Sequence, residues 1–375
     1  MMWKQAMTDV AEKTLTNIKR FNGRFPHVSE DGEHYELNNN NEWTNGFWSG
    51  ILWLCYEYTN DPAFRQAAAS TVRSFQQRME QNLELDHHDI GFLYSLSSKA
   101  QWIIERDERA KQLTIEAADV LMKRWREKIE LFQAWGPEGD LSNGGRIIVD
   151  CLMNLPLLFW ASEVTGNPDY REAAIIHADK TRRFIVRGDD STYHTFYFNQ
   201  ETGEALRGGT HQGYEDGSTW SRGQAWAIYG FAIAYRYTGN ERYLETAKRT
   251  AKYFIENLPA DYVAYWDFNA PITPDTKRDS SASAIASCGI LELLSHLQET
   301  DPDKAFFQQS VQKQMTSLVE NYASEKDAQG LIKRGSYSVR IGHAPDDYVI
   351  WGDYFYTEAL MRLEKLRNGY WYEGK

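Results

Sequence analysis

Two acidic residues, Asp89 and Asp150, stand out among the groups able to move protons. Asp89 closes the run Asp86-His87-His88-Asp89, and Asp150 closes Asn143-Gly144-Gly145-Arg146-Ile147-Ile148-Val149-Asp150. Each directly precedes an apolar stretch of helical periodicity. Two carboxylates at one site are the usual equipment for glycoside chemistry. Placed close together, each opposes ionisation of the other, so one keeps its proton near neutral pH and acts as an acid. Asp also serves well as a helix N-cap, and the sequence leaves both roles open. The paired histidines lack the helical i, i+4 spacing and the third ligand of a zinc site. Contact with a substrate or a structural role is expected of them, and no metal.

A second group surrounds a glycine-rich loop, Asn199 to Thr219, with Gly203, Gly208, Gly209, Gly213 and Gly217. It lacks the GKS or GKT sequence and the βαβ setting of a nucleotide cradle, and reads better as a wall or lid over a site. Trp220, Arg222 and Trp226 follow it. Arg222 and Trp226 are four apart and share a helix face. An Arg between two Trp suits a carboxylate held by two parallel bonds while the rings flank a sugar. A surface Arg with core Trp is the plainer alternative. The same choice, sugar stacking or core packing, applies across the chain, which has 13 Trp and 14% aromatic residues.

The elements that position these groups follow from a repeated phrase. Tyr58-Thr59-Asn60-Asp61-Pro62-Ala63-Phe64 returns as Val164-Thr165-Gly166-Asn167-Pro168-Asp169-Tyr170 and as Tyr237-Thr238-Gly239-Asn240-Glu241-Arg242-Tyr243. Each copy ends one helix and opens another, and such hairpins must stack to bury their apolar faces. Helical periodicity pairs 46–59 with 62–79, 91–105 with 108–125, 151–164 with 168–184, 221–237 with 241–258, and 280–297 with 302–322. A helix over 352–366 closes the set with the N-terminal helix, 4–21. The first member of each pair is the more apolar and belongs inside. The expected fold is all-α, an (α/α)6 toroid of six helical hairpins, with an open solenoid as runner-up. In a ring, the residues just before each inner helix meet at one mouth: 43–45, 87–89, 146–150, 220–222, 278–280 and 351–353. Ser221 with Gln224 fits a capping box, and Pro156 should kink its helix or mark a late start. Converging helix N-termini favour an anion at this mouth.

Composition narrows the function. The chain has 375 residues and a net charge of -12, which argues against nucleic-acid binding. No apolar run reaches the length of a membrane span, and the N-terminal segment has no apolar signal-peptide core. Cys55, Cys151 and Cys288 stand singly in apolar segments, so neither disulfides nor a zinc site is expected. No linker divides the chain, so residues 1–375 read as one domain of a cytoplasmic protein, its oligomeric state open.

At these residues the chain resembles the unsaturated glucuronyl hydrolases, glycoside hydrolase family 88. The resemblance rests on Trp43 to Gly50, Asp86 to Phe92, Asn143 to Asp150, Tyr193 to Phe196, Arg207 to Gly213, Trp220 to Trp226, Arg278 to Ala282 and Trp351 to Tyr354. It implies an (α/α)6 barrel acting, without cofactor or metal, on oligosaccharides that begin with a 4,5-unsaturated uronic acid. It implies that Asp150 protonates C4 and then activates water for C5, with Asp89 the second essential carboxylate. His88, His194, Gly208, Thr210, Gln212, Arg222 and Trp226 match substrate-contacting positions, and Trp43, Trp135 and Trp220 match aromatic positions lining the site. Residues 334–340 and His343 are expected to meet the next sugar. An unsaturated rhamnogalacturonyl hydrolase is the near alternative. A sugar 2-epimerase-type isomerase, with His88 and His194 as acid and base, is the more distant one.

Overall fold

The computed structural model describes residues 2–29, 31–137 and 139–374, so Met1, Glu30, Glu138 and Lys375 of the expected unit lie outside the described residues. Helix α1 (Met2–Phe21) and a hairpin, β1 (Phe25–Ser29) with β2 (Tyr35–Asn38), precede the first repeated corner. That corner joins α2 (Asn45–Thr59) to α3 (Pro62–Glu80). Thr59 Oγ1 donates to Cys55 O at 2.7 Å and accepts the Asp61 N–H at 3.1 Å. Asn60 turns the chain at φ 59°, and Asp61 caps α3 by accepting from Ala63 N. Left-handed backbone after a helix favours Gly or Asn, and Asp or Asn is a good N-cap. The phrase therefore encodes one stop and one start.

The next pair is α4 (Ile90–Ser95) and α5 (Ser98–Glu105), then α6 (Glu108–Met122). The single inner helix expected over 91–105 is broken at Leu96-Ser97. Ser97 Oγ donates to Leu93 O at 2.6 Å and Ser98 Oγ to Tyr94 O at 3.3 Å, back-bonding of the kind that bends helices. Arg106 (φ 56°) and the Asp107 cap repeat the corner with a different sequence. Strands β3 (Trp125–Arg126) and β4 (Leu131–Phe132) follow. The third inner helix starts late, as Pro156 suggested: β5 (Arg146–Ile148) runs into a 3-10 turn, Val149–Met153, before α7 (Leu155–Thr165). Its outer partner is α8 (Pro168–Phe184). Next come β6 (Thr195–Phe198) and, within the glycine-rich segment itself, β7 (Ala205–Gly209), which complete an antiparallel sheet β5-β6-β7.

The remaining pairs are α9 (Ser221–Thr238) with α10 (Glu241–Glu256) and α11 (Ser280–Leu294) with α12 (Lys304–Ser317); α13 (Ile350–Leu363) is the last inner helix. Inner helices pack in the closed order α2, α4–α5, α7, α9, α11, α13, and α1 packs on α13 and α2. The fold is an (α/α)6 toroid, with the small sheets added at the mouth. Residues 221–234 of α9 are all buried, whereas α10 buries a stripe through Tyr243, Ala247, Thr250, Ala251 and Phe254, the inner and outer patterns expected. Close approach between inner helices needs glycine: a Cβ on Gly46 would lie 2.1 Å from Phe92 O, and one on Gly91 would lie 2.5 Å from Asn154 Cα.

The axis of the ring is filled. Trp226 packs on Phe92 and Phe355 at 5.3 Å between centroids, and Phe355 stacks on Trp371 at 6.0 Å. Trp371 belongs to a tail after α13 that seals the far end. Trp371 Nε1 donates to Glu358, Tyr370 Oη to Glu57, Tyr372 Oη to Glu292, and Lys99 Nζ donates to Trp371 O.

Candidate active site

Asp89 and Asp150 line one cavity of about 410 Å³ at the mouth. Asp89 stands at the start of α4 and caps it with no side-chain bond. Asp150 sits in the 3-10 turn between β5 and α7. The N-cap role open to both is taken by neither side chain. Asn154 ties the two segments together. Its Nδ2 reaches Asp89 Oδ1 at 3.5 Å and Asp150 O at 3.4 Å, while its Oδ1 accepts from Phe92 N at 2.9 Å.

The two carboxyls differ in charge preference. Burial, and then the neighbouring Asp89, push Asp150 up to about 7, against weaker pulls from Arg222 and Trp226. Its Oδ2 is buried with no hydrogen-bond partner. For Asp89, burial also presses upward, but His88, His87 and Asn154 prevail and hold its carboxyl below the ordinary value. The pair is thus one proton-bearing acid beside one carboxylate, the separation that assigns acid and base roles.

The histidines are neutral donors. Burial lowers His88 to about 4, and its Nε2 lies 3.5 Å from Asp89 Oδ1. Burial, then Arg146, hold His194 well below its ordinary value. His194 Nδ1 accepts from the backbone N–H of His211 at 3.1 Å and of Gln212 at 3.2 Å. With Nδ1 occupied as an acceptor, the proton sits on Nε2. That N–H is 4.0 Å from Asp150 Oδ2. The glycine-rich segment is therefore a wall that fixes a tautomer.

Trp43, His88, Trp135, His194 and Gln212 line the cavity with the carboxylates. Gly208, Thr210, Trp220, Arg222 and Trp226 stand behind that lining. Gly208 lies against the Tyr193 ring, Thr210 Oγ1 accepts from Gly213 N at 2.7 Å, and Trp220 packs 4.4 Å from the His194 ring. Trp226 is core. Arg222 differs most from expectation. It lies over Trp220 and Trp351, at 4.4 and 5.2 Å, rather than between Trp220 and Trp226. Its Nη1 donates to Asp279 Oδ2 at 2.6 Å and to Ser336 O, and its Nη2 to Tyr337 O at 2.8 Å. Asp279 caps α11 and is fully buried. Arg222 thus bonds α9 to α11 and to the segment before α13, and is no open carboxylate clamp. The capping box also fails: Ser221 Oγ donates to Trp266 O, and Gln224 Nε2 to Asp190 O and Thr250 O. Asp353, placed at the mouth by the ring reading, is buried and accepts from Tyr35 Oη and from Leu331 N and Ile332 N.

Asn143, Arg146, His211, Tyr337, Ser338 and Ile341 complete the lining. Tyr337 and Ser338 come from the segment expected to meet a second sugar. The ring reading placed Arg146 at the mouth with the run that ends at Asp150, but gave it no role. Among the described residues, no group of three or more His, Cys, Asp or Glu is arranged to hold a metal ion, and no helix is long and apolar enough to cross a membrane.

The sequence profile of Glycosyl Hydrolase Family 88 matches residues 17–367. The chain is 60% identical over 374 residues to an unsaturated glucuronyl hydrolase of Bacillus sp. (strain GL1), covering 99% of each. It is 42% identical over 369 residues to an unsaturated chondroitin disaccharide hydrolase of Streptococcus pneumoniae (strain ATCC BAA-255 / R6), covering 98% of this chain and 93% of that protein. The crystal structure of unsaturated glucuronyl hydrolase from Bacillus sp. GL1, described as responsible for the degradation of glycosaminoglycan, superposes with a TM-score of 0.98 at 59% identity over 99% of both chains.

Proposed function

The chain belongs to glycoside hydrolase family 88, and from that premise we propose that it releases a 4,5-unsaturated uronic acid from the non-reducing end of lyase-generated oligosaccharides of glycosaminoglycan or gellan type. The observation that carries the reading is the pair of unlike carboxyls in one cavity: Asp150, raised to about 7 by burial and Asp89, beside Asp89, held low. A vinyl ether needs a carbon-directed proton donor, and a carboxyl protonated near neutral pH supplies one.

In this mechanism Asp150 gives its proton to C4, and the positive charge that develops at C5 is shared with the ring oxygen. Asp89 stays ionised, keeps Asp150 protonated beforehand and holds substrate hydroxyls. Once ionised, Asp150 takes a proton from the water that adds to C5, which restores the acid. The C5 hemiketal opens to a ketone, and the hemiacetal left at C1 collapses and releases the next sugar. His88 and His194 serve as N–H donors, with the Nε2–H of His194 placed to hold the incoming water or the Asp150 carboxylate. Gln212 adds an amide to the same wall. Trp43 and Trp135 offer ring faces to the sugars. Gly208, Thr210, Trp220, Arg222 and Trp226 hold this lining in place. The whole chain, 1–375, acts as one catalytic domain, without cofactor. Its three buried free cysteines suit a reducing compartment, and we place it in the cytoplasm.

Histidine acid–base chemistry of the epimerase type is disfavoured, because His194 Nδ1 already accepts two backbone bonds. Incubation with a panel of lyase products tests the reading. The ultraviolet absorbance of the C4=C5 bond should fall, and mass spectrometry should show the shortened oligosaccharide and a hydrated uronate. Consumption of rhamnogalacturonan lyase product alone would overturn it.

A further inference from the structure

We propose that His177, an outer-helix residue that lines no part of the cavity, is a positioning residue: its Nε2–H is donated, directly or across one water, to Nδ1 of His88, and so keeps the His88 proton on Nε2, facing Asp89. The proposal rests on the function just described, in which Asp89 must be ionised.

The buried stripe of α8 is Tyr170, Ala173, Ala174, Ala178 and Thr181, and with them His177, which is buried completely. An imidazole taken out of water needs a partner at each nitrogen. His177 Nδ1 has one, accepting from Phe132 N at 3.1 Å. Its proton therefore sits on Nε2. That N–H is buried and has no partner among the described residues. His88 shows the complement. Its Nε2 lies 3.5 Å from Asp89 Oδ1 and serves there as the donor, which leaves Nδ1 an acceptor. Nδ1 too is buried and without a partner among the described residues.

The fold anchors the two residues on one edge of the same short segment. Gln133 N donates to Arg124 O, on the β3 side. Residues 132 and 134 face the other edge, because alternate residues of an extended chain present their backbone groups to the same side. On that edge Phe132 N binds His177, and Ala134 O accepts from His88 N at 3.0 Å. His88 is also the foremost charge acting on His177, ahead of Lys180. Asp89, His87 and Arg124 act on His88, and none of these groups bonds either free nitrogen. Burial lowers His88 to about 4 and His177 to about 3, so both rings are neutral near pH 7 and one can donate while the other accepts. A His88 proton on Nδ1 would set two N–H groups against each other and turn a lone pair toward the Asp89 carboxylate. A shared bond, direct or through a water, satisfies both nitrogens and excludes that form.

The acid limb of kcat/KM reports ionisation of Asp89, and the alkaline limb deprotonation of Asp150. His177→Phe removes the donor to His88 and weakens the bond that favours the Asp89 carboxylate. The acid limb should move up by about 0.5 to 1 pH unit, the worth of one hydrogen bond. The alkaline limb should stay, since Asp89 is ionised there in both proteins. His177→Gln should restore the acid limb, because its carbonyl can accept from Phe132 N while its amide donates toward His88. A role confined to packing would lower activity at every pH with the acid limb unmoved, and that result in His177→Phe overturns the proposal. A second readout needs no His177 variant: imidazole 15N spectra of histidine-labelled wild-type protein, with the His88 signals identified by their loss in His88→Asn. They should show His88 protonated on Nε2 and its Nδ1 as a hydrogen-bonded acceptor. A proton on Nδ1, or an Nδ1 free of hydrogen bonding, overturns the proposal even where His177→Phe does not fold. Failure of the wild-type enzyme to turn over any lyase product would instead remove the proposed function, while the spectra still decide the bond.

Discussion

Replacing Asp89 by Asn tests the electrostatic core of the mechanism. Asp89 is the second cause, after burial, of the rise of Asp150 to about 7. One unit charge in the same cavity, at an effective dielectric near 20, is worth on the order of 2 to 3 kcal/mol, or about 1.5 to 2 pH units. Asn removes that charge while keeping the side-chain shape. The acid must be protonated to act, so wild-type kcat/KM should fall as pH passes above about 7. In Asp89→Asn the fall should begin about 1.5 to 2 pH units lower. It should still begin above the ordinary range for Asp, because burial is the larger cause and persists. The assay is the loss of ultraviolet absorbance from an unsaturated disaccharide, followed across pH. Lost contacts between Asp89 and substrate hydroxyls lower the whole profile without moving its inflection, so the two effects separate. An unchanged inflection in Asp89→Asn would refute the reasoning.

Three further substitutions have expected outcomes. Asp150→Asn should cut turnover by about 100- to 10,000-fold, the usual range for a positioned acid. The same variant should be more stable than wild type at high pH. The folded pKa of Asp150 lies above its unfolded value, so wild-type stability is intact below about pH 4 and lost as pH rises through about 7; thermal melts should show a gap growing to about 2 to 4 kcal/mol. Gly91→Ala places a methyl 2.5 Å from Asn154 Cα and 2.7 Å from Asn154 O. Backbone on both sides cannot yield cheaply, so about 1 to 3 kcal/mol of stability should be lost, and kcat with it, because Asn154 joins the two acidic segments. Trp371→Ala should cost about 3 to 5 kcal/mol in denaturant unfolding while leaving KM close to wild type.

The features legible in the sequence are those written in local hydrogen bonds. Thr59-Asn60-Asp61, Thr165-Gly166-Asn167 and Thr238-Gly239-Asn240 each carry a helix stop and a helix start within three residues, which is why the hairpins and the ring emerged from pattern alone. Pro156 likewise marked a late start. The break at Ser97 was hidden, because serine hydroxyls inside an apolar helix bond outward or backward without changing periodicity. The sheet β5-β6-β7 was hidden for a different reason: its strands are three to five residues long, and β5 pairs with residues about fifty positions later. Spacing placed Arg222 and Trp226 on one helix face. It said nothing of Asp279, 57 residues away, which claims the guanidinium. The same limit left Arg146 at the mouth without an assigned role, since its partners come from β6 and from Trp135.

The sealed far end has a consequence for the order of events at the mouth. With Tyr370, Trp371 and Tyr372 packed beneath the aromatic column, the hollow is a cul-de-sac, and no polymer can thread through it. Only a chain terminus reaches Asp150, and the shortened sugar must back out by the route it entered. Each cut therefore ends an encounter, and a long substrate would be released after losing a single residue rather than digested in successive steps.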